Sequence, residues 1–334
     1  MAAPPPSQPS SRYTAARARL DSQELPRFLF RGFSSRSGGG FDPRLNNEDG
    51  IIPHAFLNGE APTSMYNIDY VKDVIDGHTH HRHIRTPFSS WAAQLSVALR
   101  YIGGDFGPNS YIAIFDMRQK EPHNEVYFLP ELYEAGLASD ETLNHEYLVY
   151  GPVRGPAYRC AKGSDIVAMG FDAACLKTQA PLTRNDVRMA LRIAELFYRP
   201  YDPDDIFLGA FAAFVTVVLR PWNLSYCEDR TDEEMQIVFK ELRKAARPGS
   251  CINWVLCNEE TFTDDLLWHL RHTDLHLFPG LRQMIELLSH LEREFCPVSV
   301  KCVQKRRHRP LLPRLKSLSE DFVLPEGYYG RGES

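Results

Sequence analysis

The sequence predicts an α+β protein in which a strand-rich stretch over residues 25–175 precedes an α-helical stretch over residues 180–298. Three observations carry that prediction. Short runs rich in β-branched and aromatic residues, FLF (28–30), SYIAIFDM (110–117), EVYFL (125–129) and EYLVYGPV (146–153), stand between Gly, Pro, Asn and His in the first stretch. Longer segments of helical grain fill the second. The change of grain falls near PLT (181–183), which is taken as the boundary.

The elements follow in order. Residues 1–24 contain no apolar segment and are expected to be a disordered lead-in. FLF opens the first strand. A long loop then leads to a helix expected over SSWAAQLSVALRYIGG (89–104), because Trp91, Leu95, Ala98, Leu99 and Ile102 recur at helical spacing and glycines close the run. A group of strands comes next. In the second stretch, LTRNDVRMALRIAELFY (182–198), IFLGAFAAFVTVVL (206–219), TDEEMQIVFKELRKAA (231–246), TDDLLWHLRHT (263–273) and LRQMIELLSHLEREF (281–295) read as helices around an apolar central one. TDEE at 231–234 fits a capping box. The segment 206–219 is too short to span a bilayer unaided, so a buried helix is expected there and no membrane association. Residues 299–334 form a basic tail containing KCVQKRRHRP (301–310).

Composition narrows the function. A formal net charge of -5 argues against a non-specific nucleic-acid binder, whose field is normally positive. Seven cysteines, an odd number without a metal-knuckle pattern, suit reduced thiols in an intracellular protein. Cytoplasmic residence is expected; the basic run at 301–310 reads first as a solvated tail or loop, with anion binding or a nuclear address as its alternatives.

The residues that bear chemistry lie in the first stretch. Arg31 follows a short apolar strand and precedes Gly32 and a Ser-Gly loop, SSRSGGG (34–40). A guanidinium at a buried strand end calls for an anion, either a ligand phosphate gripped by its fork of donors or a neighbouring carboxylate. The loop lacks the G-K-[ST] ending of a phosphate-binding P-loop, and no strand is followed by G-x-G-x-x-G. In TPFSSWAAQ (86–94), Pro87 forces an extended entry; one of Ser89 and Ser90 would cap the helix and the other would point into a cleft. Glu146 stands at the front of an apolar strand in LNHEYLVYG (143–151), either as a solvated edge residue or facing the arginine and serines. HTHHRH (78–83) gathers four histidines that could hold a metal, but no H-E-x-x-H accompanies them, so no metal site is assigned. Neither Cys160 nor Cys175 has the surroundings of a cysteine hydrolase.

The ordered set Arg in LFRG, Ser in TPFSSW and Glu in HEYLVYG resembles the Arg-Ser-Glu signature of the ADP-ribosyltransferase superfamily, in the branch related to diphthamide-independent bacterial toxins. The stretch 25–175 also resembles an uncharacterised domain found widely in fungal proteins, through LFRGF, a Ser-Gly-Gly segment, PHAF, PFSSW and HEYLVYG. The resemblance implies an ADP-ribosyltransferase-like split β-sandwich with NAD as substrate. It implies that Arg31, with Gly32 beside it, holds the NAD phosphates or the adenine-side ribose. It makes Ser89 or Ser90 the serine near the nicotinamide ribose and Glu146 the carboxylate that stabilises an oxocarbenium-like centre as nicotinamide leaves. Phe88, Trp91 and Tyr147 are the rings available to cover the nicotinamide.

Two departures bear on the acceptor. Asn144 stands two residues before Glu146, where transferases acting on arginine carry Gln or Glu, and the serine motif reads PFSSW. The expected activity is therefore mono-ADP-ribosyl transfer to an undetermined acceptor, a protein among the candidates, or NAD hydrolysis. The alternatives are a catalytically inactive module of the same fold that binds protein, with the helical domain offering a partner surface, and a metal-dependent phosphoesterase built on His78, His80, His81 and His83.

Overall fold

A computed structural model describes residues 26, 28–34, 42–57, 68–80, 85–102, 106, 109–139, 146–172 and 182–198, with helical residues 210–211, 213–215, 236–238, 240–242 and 244–245. The chain is α+β, with an antiparallel sheet and several helices. Nine strands are described: β1 (Phe28–Phe33), β2 (Asn46–Asn47), β3 (Gly50–Ile51), β4 (Phe88–Ala92), β5 (Tyr111–Asp116), β6 (Glu125–Phe128), β7 (Glu146–Tyr150), β8 (Val153–Arg154) and β9 (Tyr158–Lys162). The helices are α1 (Ile68–Thr79), α2 (Leu95–Tyr101), α3 (Leu129–Glu134), α4 (Gly163–Ala168) and α5 (Arg184–Glu195).

Six strands form one sheet in the order β6-β7-β4-β1-β5-β9, and β2-β3-β8 form a second of three. β5 is buried at every position, as its apolar run YIAIF requires of a strand covered on both faces, and the burial extends to Asp116 at its end. β1 pairs with β5 along its whole length, from Phe28 opposite Asp116 to Phe33 opposite Tyr111. Its other edge meets β4 at a single pair, Phe30 opposite Ala92.

Helices bury the sheet. α1 carries Val71, Val74 and Ile75 on one stripe and packs them with Phe88, Tyr127, Leu129, Leu132 and Leu148. α2 lies on β1, and Gly32 permits its approach: a Cβ at that position would overlap the Ala98 carbonyl oxygen. α5 starts with a capping box in which Thr183 and Asp186 satisfy each other's backbone amides. Its Val187, Ala190, Ile193 and Ala194 belong to one apolar cluster with Leu29 and Phe115 of the sheet and with Phe211, Phe214, Val238 and Leu242. The residues described between 206 and 219 are helical and buried, as their composition implies. No helix among the described residues is long and apolar enough to cross a membrane.

Several elements differ from the sequence reading. The segment 88–92 is a strand, and the helix expected from residue 89 begins at Leu95. Trp91 shares the helical spacing of Leu95, Ala98, Leu99 and Ile102, but it is held in the sheet by pairing with Tyr147. EYLVYGPV is two strands, because Gly151 turns the chain with φ +85 and sends Val153 into the small sheet. α1, β9 and α4 were not foreseen. The capping box expected at 231–234, the helices expected at 263–273 and 281–295, the lead-in and the basic tail lie outside the described residues.

Candidate functional site

The site begins where β1 and β4 part. A continued register would set Gly32 opposite Ser90, but the pairing ends at Phe30 and Ala92. Arg31 reaches across instead, and its Nη1 donates to the Ser90 carbonyl at 2.6 Å. Its Nε is buried without a hydrogen-bond partner. Burial pushes the guanidinium below the usual arginine range, while Tyr158, Glu146 and Tyr101 act to keep the proton on. The cation is thus desolvated, compensated by its neighbours and left with a spare donor.

Glu146 opens β7 and is 6 % exposed. The registers set it opposite Ala92, which is itself opposite Phe30, so these three residues form one row across the sheet. Ser90 lies opposite Leu148, two positions along from Glu146 on β7. Strand alternation therefore puts Ser90 and Glu146 on the same face as diagonal neighbours, about 7–8 Å apart. Tyr101, at the end of α2, completes the group. It is 51 % exposed, yet its phenol is pushed up by burial first and by Glu146 second, with Arg31 acting in the opposite sense.

The structure separates the two serines. Ser89 is 3 % exposed; its hydroxyl accepts from Trp91 Nε1 at 2.9 Å and donates to the Val149 carbonyl at 3.5 Å. It ties the indole to the core. Ser90 is half-buried, and its Oγ lies 2.7 Å from His78 Nε2. His78 Nδ1 lies 3.1 Å from Thr86 Oγ1, which accepts from the Phe88 amide at 3.1 Å. His78 continues the α1 stripe of Val71, Val74 and Ile75 at helical spacing, which is why its ring meets the sheet. Neither serine caps a helix: the cap position of α2 is Gln94, which makes no side-chain cap bond.

Other expected roles are not supported by the placements. Gly32 serves the approach of α2 to β1 and has no space for a ligand at its Cα. Phe88, Trp91 and Tyr147 are buried among core rings, Phe88 against Tyr127 and Tyr150, Trp91 against Phe115, and Tyr147 stacked on Phe128. They hold the sheet together and offer no open face to a nicotinamide. His80 Nδ1 lies 2.8 Å from the Asp76 carbonyl oxygen. Among the described residues no three His, Cys, Asp or Glu side chains are grouped to hold a metal ion. His81, His83, Asn144, His145, Cys175 and residues 35–40 of the Ser-Gly loop lie outside the described residues.

One guanidinium, one carboxylate and one phenol act on one another's charge, and a hydroxyl-imidazole-hydroxyl chain runs from Thr86 through His78 of α1 to Ser90 of β4. Such a set can hold a phosphate, stabilise a cationic carbon and move a proton. Sequence reasoning found Arg31, Ser90 and Glu146 and missed Tyr101 and the partnership of His78 with Ser90. The spacing of Val71, Val74, Ile75 and His78 was the available signal for the latter.

Comparison with known proteins adds one match. The chain matches no curated protein and no solved structure. Residues 24–160, which include Arg31, His78, Ser90, Tyr101 and Glu146, match the model of a family described as a domain of unknown function (DUF7587).

Proposed function

We propose that this protein cleaves NAD at the bond between nicotinamide and ribose, as a mono-ADP-ribosyltransferase or NAD glycohydrolase on an ADP-ribosyltransferase-like fold. One observation carries the reading: Arg31 spans the gap between β1 and β4 to the Ser90 carbonyl, and Glu146, on the far side of β4, shares a sheet face with the Ser90 side chain. Arg31 binds the pyrophosphate through its guanidinium, and Glu146 faces the ribose. The glycosidic bond breaks, nicotinamide leaves with the bonding electrons, and the carboxylate is most strongly engaged as positive charge develops on the sugar. Water or an acceptor then bonds to that carbon and gives up its proton. Of the two serines, Ser90 is the one available to the site, because the hydroxyl of Ser89 is committed to Trp91 and Val149.

The deep burial of Glu146 favours a second reading, in which the same fold is kept as a protein-binding module and the charged group is structural. The purified chain incubated with NAD, with products separated by chromatography, decides between them. Free nicotinamide appearing in proportion to protein supports cleavage. Intact NAD, with cell extract present to supply an acceptor, supports the module.

A further inference from the structure

The chain from Thr86 through His78 to Ser90 has the geometry of an oriented base. A general base must lie within hydrogen-bond reach of the group it deprotonates and be fixed by a third group. His78 Nε2 is 2.7 Å from Ser90 Oγ, and Nδ1 is 3.1 Å from Thr86 Oγ1. When Nδ1 carries the proton and donates it to Thr86, Nε2 is left to accept from Ser90. The ring sits in the last turn of α1, the end of a helix at which positive charge is favoured. Ser90 joins this chain to the rest of the site, since its carbonyl is held by Arg31 and its side chain is on the face of Glu146.

We propose that Ser90 and His78 form a proton relay for the acceptor, and that the acceptor is a neutral hydroxyl, water or an alcohol, rather than a guanidinium. This rests on the NAD-cleaving reading above. The acceptor oxygen bonds to the ribose carbon that nicotinamide has left. The acceptor proton passes to Ser90 Oγ, the Ser90 proton passes to His78 Nε2, and the imidazolium returns it to solvent. A hydroxyl needs such a base, and Asn144, the amide two residues before Glu146, has no capacity to take a proton. A guanidinium acceptor would bring a second cation beside Arg31, in surroundings that already disfavour the first.

The test uses the full chain with NAD, methanol as the hydroxyl probe and agmatine as the guanidinium probe, in wild type, His78→Gln and Ser90→Ala. Glutamine keeps a polar contact to Ser90 but cannot accept a proton. The expected result is methyl-ADP-ribose from methanol and no agmatine adduct. Both variants should lower kcat by about 100-fold with KM for NAD unchanged. Wild-type rates in a folded His78→Gln or Ser90→Ala protein, or an agmatine adduct formed in preference to the methyl product, overturn the relay while leaving NAD cleavage standing. Should His78→Gln fail to fold, Ser90→Ala carries the test alone. Absence of nicotinamide release from wild type overturns the parent reading, and the relay with it.

Discussion

The two edges of β1 differ in what they are for. On the β5 side the strand pairs at every position, and Leu29 and Phe115, opposite each other, are fully buried. On the β4 side one pair holds, and a half-buried arginine reaches over the interval to a carbonyl. A closed ladder satisfies its own backbone groups and needs only apolar side chains around it. An interrupted ladder leaves polar groups that a charged side chain or a ligand must satisfy, which is where chemistry can be placed at some expense of stability.

Five variants sharpen that contrast, from the largest effect to the smallest. Phe115→Ala, on the closed edge, should lower stability by about 3–5 kcal/mol, read from denaturant unfolding. A loss below about 1 kcal/mol would show that the closed edge is not the structural one. The adjacent serines divide next. Ser89→Ala leaves the buried Trp91 indole N–H without its acceptor and should lose about 1–3 kcal/mol, with NAD cleavage per folded molecule retained. Ser90→Ala should lose about 0.5–1 kcal/mol and most of its turnover. Equal effects at both positions would erase the distinction between the two faces of β4.

On the open edge, the double variant Arg31→Met with Glu146→Leu removes both charges. Its unfolding free energy should fall by no more than about 1 kcal/mol, because the desolvation cost of both charges is removed while the Ser90 carbonyl loses one hydrogen bond. A marked loss would make Arg31 and Glu146 part of the scaffold. The smallest effect lies away from both edges. Arg44 holds the half-buried Asp42 carboxylate through a side-chain fork and a backbone amide, lowering its pKa to about 2. A lowered folded-state pKa stabilises above the ordinary carboxylate range and loses that contribution as pH falls toward 2. Asp42→Ala should therefore flatten the acid limb of the stability profile slightly, and an NMR titration of Asp42 should show its midpoint near 2.

The sequence made the interior strands legible because β1, β5, β6 and β7 are apolar runs between turn residues. β9 was hidden by its charges. Arg159 is nevertheless buried there, because its Nη1 donates to the carbonyls of Gly155, Pro156 and Tyr158. Strand alternation from Trp91 could have separated the serines, since an indole facing the core puts Ser89 on the same face and Ser90 on the other. α1 was obscured by the Asp, Gly and His residues interleaved with its three-residue apolar stripe. Arg31 and Glu146 could be named from their motifs, but the part played by Tyr101 depends on how α2 docks. That docking rests on Gly32, whose spacing in sequence carries no such information.

The most direct test of the central claim is nicotinamide release from NAD by wild type, Glu146→Gln and Arg31→Ala, each first shown to be folded by its melting transition. The account predicts release by wild type that falls by about 100-fold or more in the glutamine variant, and a raised KM for NAD in the alanine variant. Undiminished release from folded Glu146→Gln, or none from wild type, would contradict it.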